Sequence, residues 1–281
     1  MDDLEIKLVH DNWINPQQFQ LVREEAKKLA KSFWSVLIRN KYMSCEDVAL
    51  FFAQEAGIPY VKLADYKISP QVLKLIDEEF CRRNCLIPAF KVKDVLFVAC
   101  ANPCDTAIMD DLGKLVNFEI EPVVASADSI YQALNVYYGM PEKDFEMAKY
   151  IVKSEPLKGL RFWRESERIT LNIPVGIRVE DRNTVLNYSS TIEGFTNDIS
   201  RNGTALGLQV FSFIPRGINI SLEFKPDGKL SASEKVIKAK GEVVYCRMQK
   251  NRHYFLGVKF TGITQEDLNE LFKIAGRSGP L

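Results

Sequence analysis

The stretch Trp163-Arg164-Glu165-Ser166-Glu167-Arg168 places two guanidinium groups four residues apart. About 30 residues later, Asn197-Asp198-Ile199-Ser200-Arg201-Asn202-Gly203 offers a carboxylate, a hydroxyl and a glycine. A guanidinium group forks onto phosphate and stacks on a base plane. The carboxylate of Asp198 suits the two N–H donors on the Watson–Crick edge of guanine. Ser200 adds a hydroxyl, and Gly203 lets a ligand approach the backbone closely. The set therefore complements a phosphate-bearing guanine ligand. The bland alternatives are a solvated helical face for Arg164 and Arg168, and plain turn chemistry for residues 197–203. A strand-like alternation begins at Arg168, which weighs against the helix and puts Arg164 in a lead-in segment.

Other chemistries lack their residues. The sequence has no GxxxxGK[ST], no GxSxG and no HExxH. Its two histidines, His10 and His253, fall in different halves, which argues against a histidine acid–base centre. Cys81-x3-Cys85 and Cys100-x3-Cys104 are each one residue longer than the usual CxxC of a zinc site, so thiols without metal are the favoured reading. A metal-dependent enzyme around these four cysteines is a weak third reading, because no general base accompanies them. The chain is expected to be non-enzymatic, with no metal.

Lys plus Arg and Asp plus Glu number 37 each, so any anion site must be local, and no DNA partner is expected. Hydrophobic residues make up 46% and charged residues 26%, the values of a globular protein. No apolar run approaches the ~18 to 20 residues that span a bilayer. The start MDDLEIKLV is acidic where a secretory leader would be basic. No membrane insertion is expected, and the expected location is cytoplasmic. Six cysteines in a chain of this length fit a reducing compartment.

These residues must be positioned by elements of two kinds. The length, 281 residues, suggests two domains. In the first half, Asn15 and Pro16 open a helix through PQQFQLVREEAKKLAKSF, and Ser44 with Asp47 forms a capping box for a helix that stops at Gly57. Ser69 and Pro70 open a helix through QVLKLIDEEF. DVLFVAC reads as a buried strand, MDDLGKLV as a helix and FEIEPVVA as a strand. Ser126 caps a last helix that ends at Gly139. The second half changes to a period of two. In RITLNIPVGIRVE the apolar residues fall at every second position from Ile169 to Val179, and INISLEF repeats the pattern. GEVVYCRM and HYFLGVKF follow across the turn QKNR, and Thr264 caps a final helix ending at Gly276. The fold expected is α+β with two domains: a helical plus small α/β domain at 1–140, a linker or connecting helix at 141–160, and an antiparallel barrel or sandwich with a C-terminal helix at 161–281.

The second half resembles the PilZ domain, a family of small β-barrels that bind cyclic di-GMP. The signature RxxxR then [DN]xSxxG is met by Arg164 to Arg168 and by Asp198 to Gly203, Pro174 matches the family's proline, and Gly257-Val-Lys-Phe260 matches its closing GVxF. The resemblance covers about 161–275 and implies a six-stranded barrel. It implies that Arg164 and Arg168 grip phosphates and stack on guanine, that Asp198 reads a guanine edge, that Ser200 bonds nearby polar atoms and that Gly203 permits close packing. The family's extra arginine beside the first motif arginine is absent here, since Trp163 and Glu165 flank Arg164, and Arg161 is the candidate substitute. The family also accommodates an intercalated ligand dimer.

The first half resembles the MshEN domain of type II secretion and type IV pilus assembly ATPases, over about 1–140. GIPYVKL, VLFVACANPCD, EPVVAS and SIYQALNVYY carry the likeness. The ATPase module expected next is replaced by the PilZ-like half. Some MshEN domains bind cyclic di-GMP through RLGxxLxxxG repeats. Aligned on Leu8, this sequence has Asp3, Glu5 and Asn12 at the Arg and the two Gly positions; aligned on Leu37 it has Ser32, Trp34 and Lys41. Losing both glycines removes the close backbone approach, so this half is expected to transduce or to bind protein. Together the resemblances imply a cyclic di-GMP receptor. Its ligand orders the lead-in segment, rearranges the two domains and acts on a pilus, secretion or motility partner. The alternative is a nucleotide-independent interaction adaptor with a PilZ-like fold.

Overall fold

The computed structural model describes residues 3–103, 106–140, 168–180, 188, 191–200, 205–225 and 236–277. Two compact units make up the chain, Met1–Gly159 and Leu160–Leu281.

The first unit begins with helices α1 (Asp3–His10), α2 (Pro16–Leu29), α3 (Phe33–Arg39) and α4 (Cys45–Ala56). Their ends follow local chemistry. The Asn15 side chain accepts from the Gln18 amide while the Gln18 side chain accepts from the Asn15 amide, a reciprocal cap with Pro16 behind it. Ser44 and Asp47 close the same box on α4, and Gly57 ends that helix at φ +64°. α2 stops earlier than its sequence pattern suggests. Ala30 turns left-handed, and Ser32 caps a new helix by accepting from the Ser35 amide. Trp34, only 3% exposed, packs on Phe33, Phe51 and Phe52 with ring centroids 4.8–5.7 Å apart.

The expected helix from Gln71 to Phe80 is broken in two, α5 (Pro70–Leu73) and α6 (Glu78–Asn84). Asp77 causes the break, because its carboxylate accepts from the amides of Glu79 and Phe80 and so starts a second helix. The sheet has three strands. β1 (Leu86–Val92), not foreseen in the sequence, pairs antiparallel with β2 (Val95–Cys100), and β3 (Glu119–Val124) lies parallel to β2 after the crossover helix α7 (Thr106–Leu115). Every residue of β2 is buried, which is why its sequence is continuously apolar. Helix α8 (Ala127–Tyr138) follows. The Arg82 guanidinium donates to the carbonyls of Leu134 and Gly139 and to Asn135 Oδ1, holding the C-terminal end of α8.

The second unit is a closed six-stranded antiparallel barrel. Its strands are β5 (Pro174–Val179), β6 (Ile192–Ser200), β7 (Ala205–Val210), β8 (Asn219–Phe224), β9 (Ile237–Met248) and β10 (Tyr254–Gly262). They pair in the ring β5-β6-β7-β10-β9-β8, and β8 returns to β5. Alternation fills the interior: Val175, Ile177, Leu206, Leu208, Ile220 and Leu256 are fully buried. A slip of one residue on any strand would turn that set to solvent, so the pattern fixes the register. Helix α9 (Gln265–Arg277) is capped by Thr264, whose Oγ1 accepts from the Asp267 amide.

Two sequence readings change here. Residues 168–180 are not one strand. A three-residue strand, β4 (Arg168–Thr170), pairs with β6 and is separated from β5 by Leu171–Ile173. Thr196 fills the gap in the ladder, since its Oγ1 donates to the Leu171 carbonyl at 2.8 Å and accepts from the Ile173 amide at 2.9 Å. Residues 197–200 are not turn but the end of β6, with Asp198 paired to Gly207 on β7.

Candidate functional site

The end of β6 brings the downstream motif beside the start of β4. In register, Arg168 faces Ser200 and Thr170 faces Asp198. Arg168 Nη1 donates to Asp198 Oδ1 in an ion pair, with side-chain exposures of 17% and 12%. Asn197 Nδ2 donates to the other carboxylate oxygen at 2.8 Å. The Arg168 Nε is buried and has no acceptor among the described residues. A nearly buried guanidinium with a spare N–H is a donor waiting for an anionic or carbonyl oxygen.

Asp198 is held from its other side by the absence of a side chain. A Cβ at Gly207 would lie 2.7 Å from Asp198 Oδ1 and 2.9 Å from Phe255 Cζ. Gly207 is therefore part of the carboxylate's seat, on a strand, β7, that the sequence reading did not identify. Ser200 is fully buried, and its Oγ accepts from the Ala205 amide at 2.9 Å. The hydroxyl thus ties the two ends of the β6–β7 connection, a structural task the motif reading did not foresee. Of the six residues singled out from the sequence, the structure brings Arg168, Asp198 and Ser200 together. Arg161, Arg164 and Gly203 lie outside the described residues.

The first unit offers a different picture. Asn12 and Lys41, at the second glycine positions of the aligned repeats, take φ +59° and +58°. The chain keeps the left-handed turn that a glycine would make, but with a side chain in place. Trp34, at a first glycine position, is packed into the aromatic core. Cys81, Cys85 and Cys100 are buried, and burial pushes the Cys81 and Cys85 thiols up to about 12. Thiols that stay protonated in this way are poor nucleophiles. No three His, Cys, Asp or Glu side chains among the described residues group to hold a metal, and Cys104 lies outside them. No helix among the described residues is long and apolar enough to cross a membrane.

Comparison with known proteins agrees with both motif readings. Residues 56–144 match the family model of the MshEN domain, and residues 163–275 match that of the PilZ domain. Among curated proteins, the chain is 30% identical over 131 residues to the type IV pilus assembly ATPase PilB of Myxococcus xanthus, and 26% identical over 132 residues to PilB of Acinetobacter baylyi. Each match takes in 47% of this chain but only 23% of the relative, so the chain spans about a quarter of those proteins. Among solved structures, one described as MshE with cdg is 20% identical with a TM-score of 0.44, covering 49% of this chain and all of that one. Another, the PilZ domain with c-di-GMP of YcgR from Escherichia coli, is 13% identical with a TM-score of 0.29, covering 41% of this chain and 89% of that one.

Proposed function

We propose that this chain is a non-enzymatic receptor for cyclic di-GMP. The observation that carries the reading is the meeting of Arg168, Asp198 and Ser200 on the β4–β6 pair, from two motifs about 30 residues apart in sequence. A cation that forks onto phosphate beside a carboxylate that reads guanine N–H groups suits a guanine nucleotide. The match of residues 163–275 to the PilZ domain points to the same ligand class, and a named PilZ neighbour was solved with c-di-GMP. The ligand contacts proposed are Arg161, Arg164, Arg168, Asp198, Ser200 and Gly203.

Arg161 and Arg164 stand at the start of the second unit, next to the sequence that joins it to the first. A ligand held by them would couple binding to the relative orientation of the units. The pilus assembly ATPases matched by the chain suggest pilus or secretion machinery as the partner. No metal is required by this reading.

Calorimetric titration of the full chain with cyclic di-GMP tests it. Saturable binding by the wild type, weakened about tenfold or more in Arg164→Ala and Arg168→Ala, is the expected result. A folded wild type that takes up no heat would overturn the reading and leave an adaptor that works without nucleotide.

A further inference from the structure

In the ring β5-β6-β7-β10-β9-β8, the strands across the barrel from β6 and β7 are β9 and β8. There the outer surface carries a cleft of about 610 Å³. Its outline follows from the strand register. Arg178 on β5 faces Ser221 on β8, and Ser221 faces Lys240 on β9; two residues along, Glu223 faces Lys238. Their neighbours along the strands, Ile177, Leu222 and Ala239, are buried, so these side chains stand on the outside. The end of β10 supplies the last wall. After a bulge, Gly262 faces Lys240, and the chain turns through Ile263 and Thr264 into α9.

The lining is cationic and partly apolar. Among the described residues it has three cations, Arg178, Lys238 and Lys240, and one carboxylate, Glu223. The chain as a whole is neutral, so this excess is local. Each cation side chain is at least 63% exposed. Glu223 is shared between Arg178 at 3.7 Å and Lys238 at 3.8 Å, both beyond hydrogen-bond length. Arg178 Nε donates to Thr191 Oγ1 at 3.3 Å. Lys240 reaches Glu180 at 3.1 Å, and Glu180 also accepts from Ser221. Pairs this exposed contribute little to the fold. Ile263 is half-buried in the wall, and exposed Val236 continues the outward row of Lys238 and Lys240. A solvated strand face asks for charges, but for no hollow with an apolar wall beside them.

We infer that this cleft docks an acidic, partly aliphatic segment of a partner protein, with carboxylates against Arg178, Lys238 and Lys240 and an aliphatic side chain against Ile263. The site lies across the barrel from the Arg168–Asp198 end and stands apart from the nucleotide reading. Charge complementarity sets the sign of the occupant. The spread of the cations sets its size. Arg178 and Lys240 are two strand spacings apart, about 10 Å, and Lys238 and Lys240 are about 7 Å apart along β9. A small anion meets one or two of these groups, whereas a run of side chains meets all three. Their aliphatic stems add apolar surface beside Ile263 while the charged heads stay in water. Nucleic acid fits less well, because Glu223 sits in the lining and no aromatic ring among the described residues lines it to stack a base.

The test uses the full chain and a fluorescein-labelled peptide, Glu-Leu-Glu-Leu-Glu-Leu, read by anisotropy. The same peptide with Gln for Glu and a labelled oligothymidylate are the comparisons. The acidic peptide binds saturably and about tenfold tighter than the glutamine peptide. Lys238→Gln combined with Lys240→Gln weakens it about fivefold. Gly262→Trp fills the cleft and abolishes binding; a Cβ there meets Lys240 Cβ at 3.6 Å, an ordinary contact. Thermal melting accompanies each variant, and if Gly262→Trp does not fold, the double lysine variant decides. Unchanged affinity in either folded variant, equal uptake of the two peptides, or no saturable binding overturns the proposal. Tighter uptake of the oligothymidylate than of the acidic peptide overturns the choice of occupant. No cyclic di-GMP is present, so each of these failures leaves the nucleotide reading standing.

Discussion

Arg168 and Asp198 are 30 residues apart in sequence and form an ion pair on the outside of the barrel, each side chain less than one fifth exposed. A pair this sheltered differs from a surface salt bridge, which is worth little. Removing one partner leaves the other charge nearly buried and alone. Asp198→Ala therefore costs more than the pair itself contributes, about 2 kcal/mol. Urea denaturation reads this, and the double variant with Arg168→Ala loses less than the sum of the single losses. Equal and additive losses would mean that the pair is not coupled.

Gly207 seats that carboxylate. Gly207→Ala puts a methyl group within 2.7 Å of Asp198 Oδ1 and 2.9 Å of Phe255 Cζ. Overpacking of this kind costs about 1–3 kcal/mol. Because Asp198 is the neighbour displaced, cyclic di-GMP affinity should fall as well. Gly113→Ala is the control, since nothing lies within 4 Å of a Cβ there.

Thr196 bridges the break between β4 and β5. Thr196→Val keeps the shape but leaves the Ile173 amide without its acceptor in a buried place. The expected cost is about 1–3 kcal/mol. Thr196→Ser restores the hydroxyl and most of the stability. Urea midpoints of the three proteins check the order.

The buried thiols set an alkaline limit. Cys81 and Cys85 are held at about 12 in the folded chain, against an ordinary 9.0. The folded state therefore keeps its thiol protons longer than the unfolded state. This contribution is whole below about pH 9, and it declines as pH rises from there towards 12. Melting temperature should fall across that window, less steeply in Cys81→Ala. At pH 8 a thiol reagent should label these two cysteines only after unfolding.

Much of this protein is local in origin, and that part is readable from residues alone. Asn15, Ser44 and Gly57 bound their helices through atoms no more than four residues away. The apolar alternation from Ile169 onward states which side chains face inward, because a strand's period is two whatever it pairs with. The residue types at 164–168 and 198–203 are what the proposed ligand chemistry is read from, since guanidinium and carboxylate carry their preferences with them.

What the tertiary structure decided is the set of pairings between distant strands. Which carboxylate meets Arg168 depends on the register of β4 against β6. The division of one alternating run into β4 and β5 depends on a hydroxyl from Thr196, more than 20 residues downstream. The same holds for the end of β6, where Asp, Ser and Asn look like turn chemistry yet Asp198 and Ser200 are drawn into the ladder by their neighbours. The cleft lined by Arg178, Lys240 and Ile263 exists only once four strands lie side by side. Backbone preferences act over a turn or two, whereas the closing of a barrel is settled by which buried faces fit, and that sum is taken over the whole second unit.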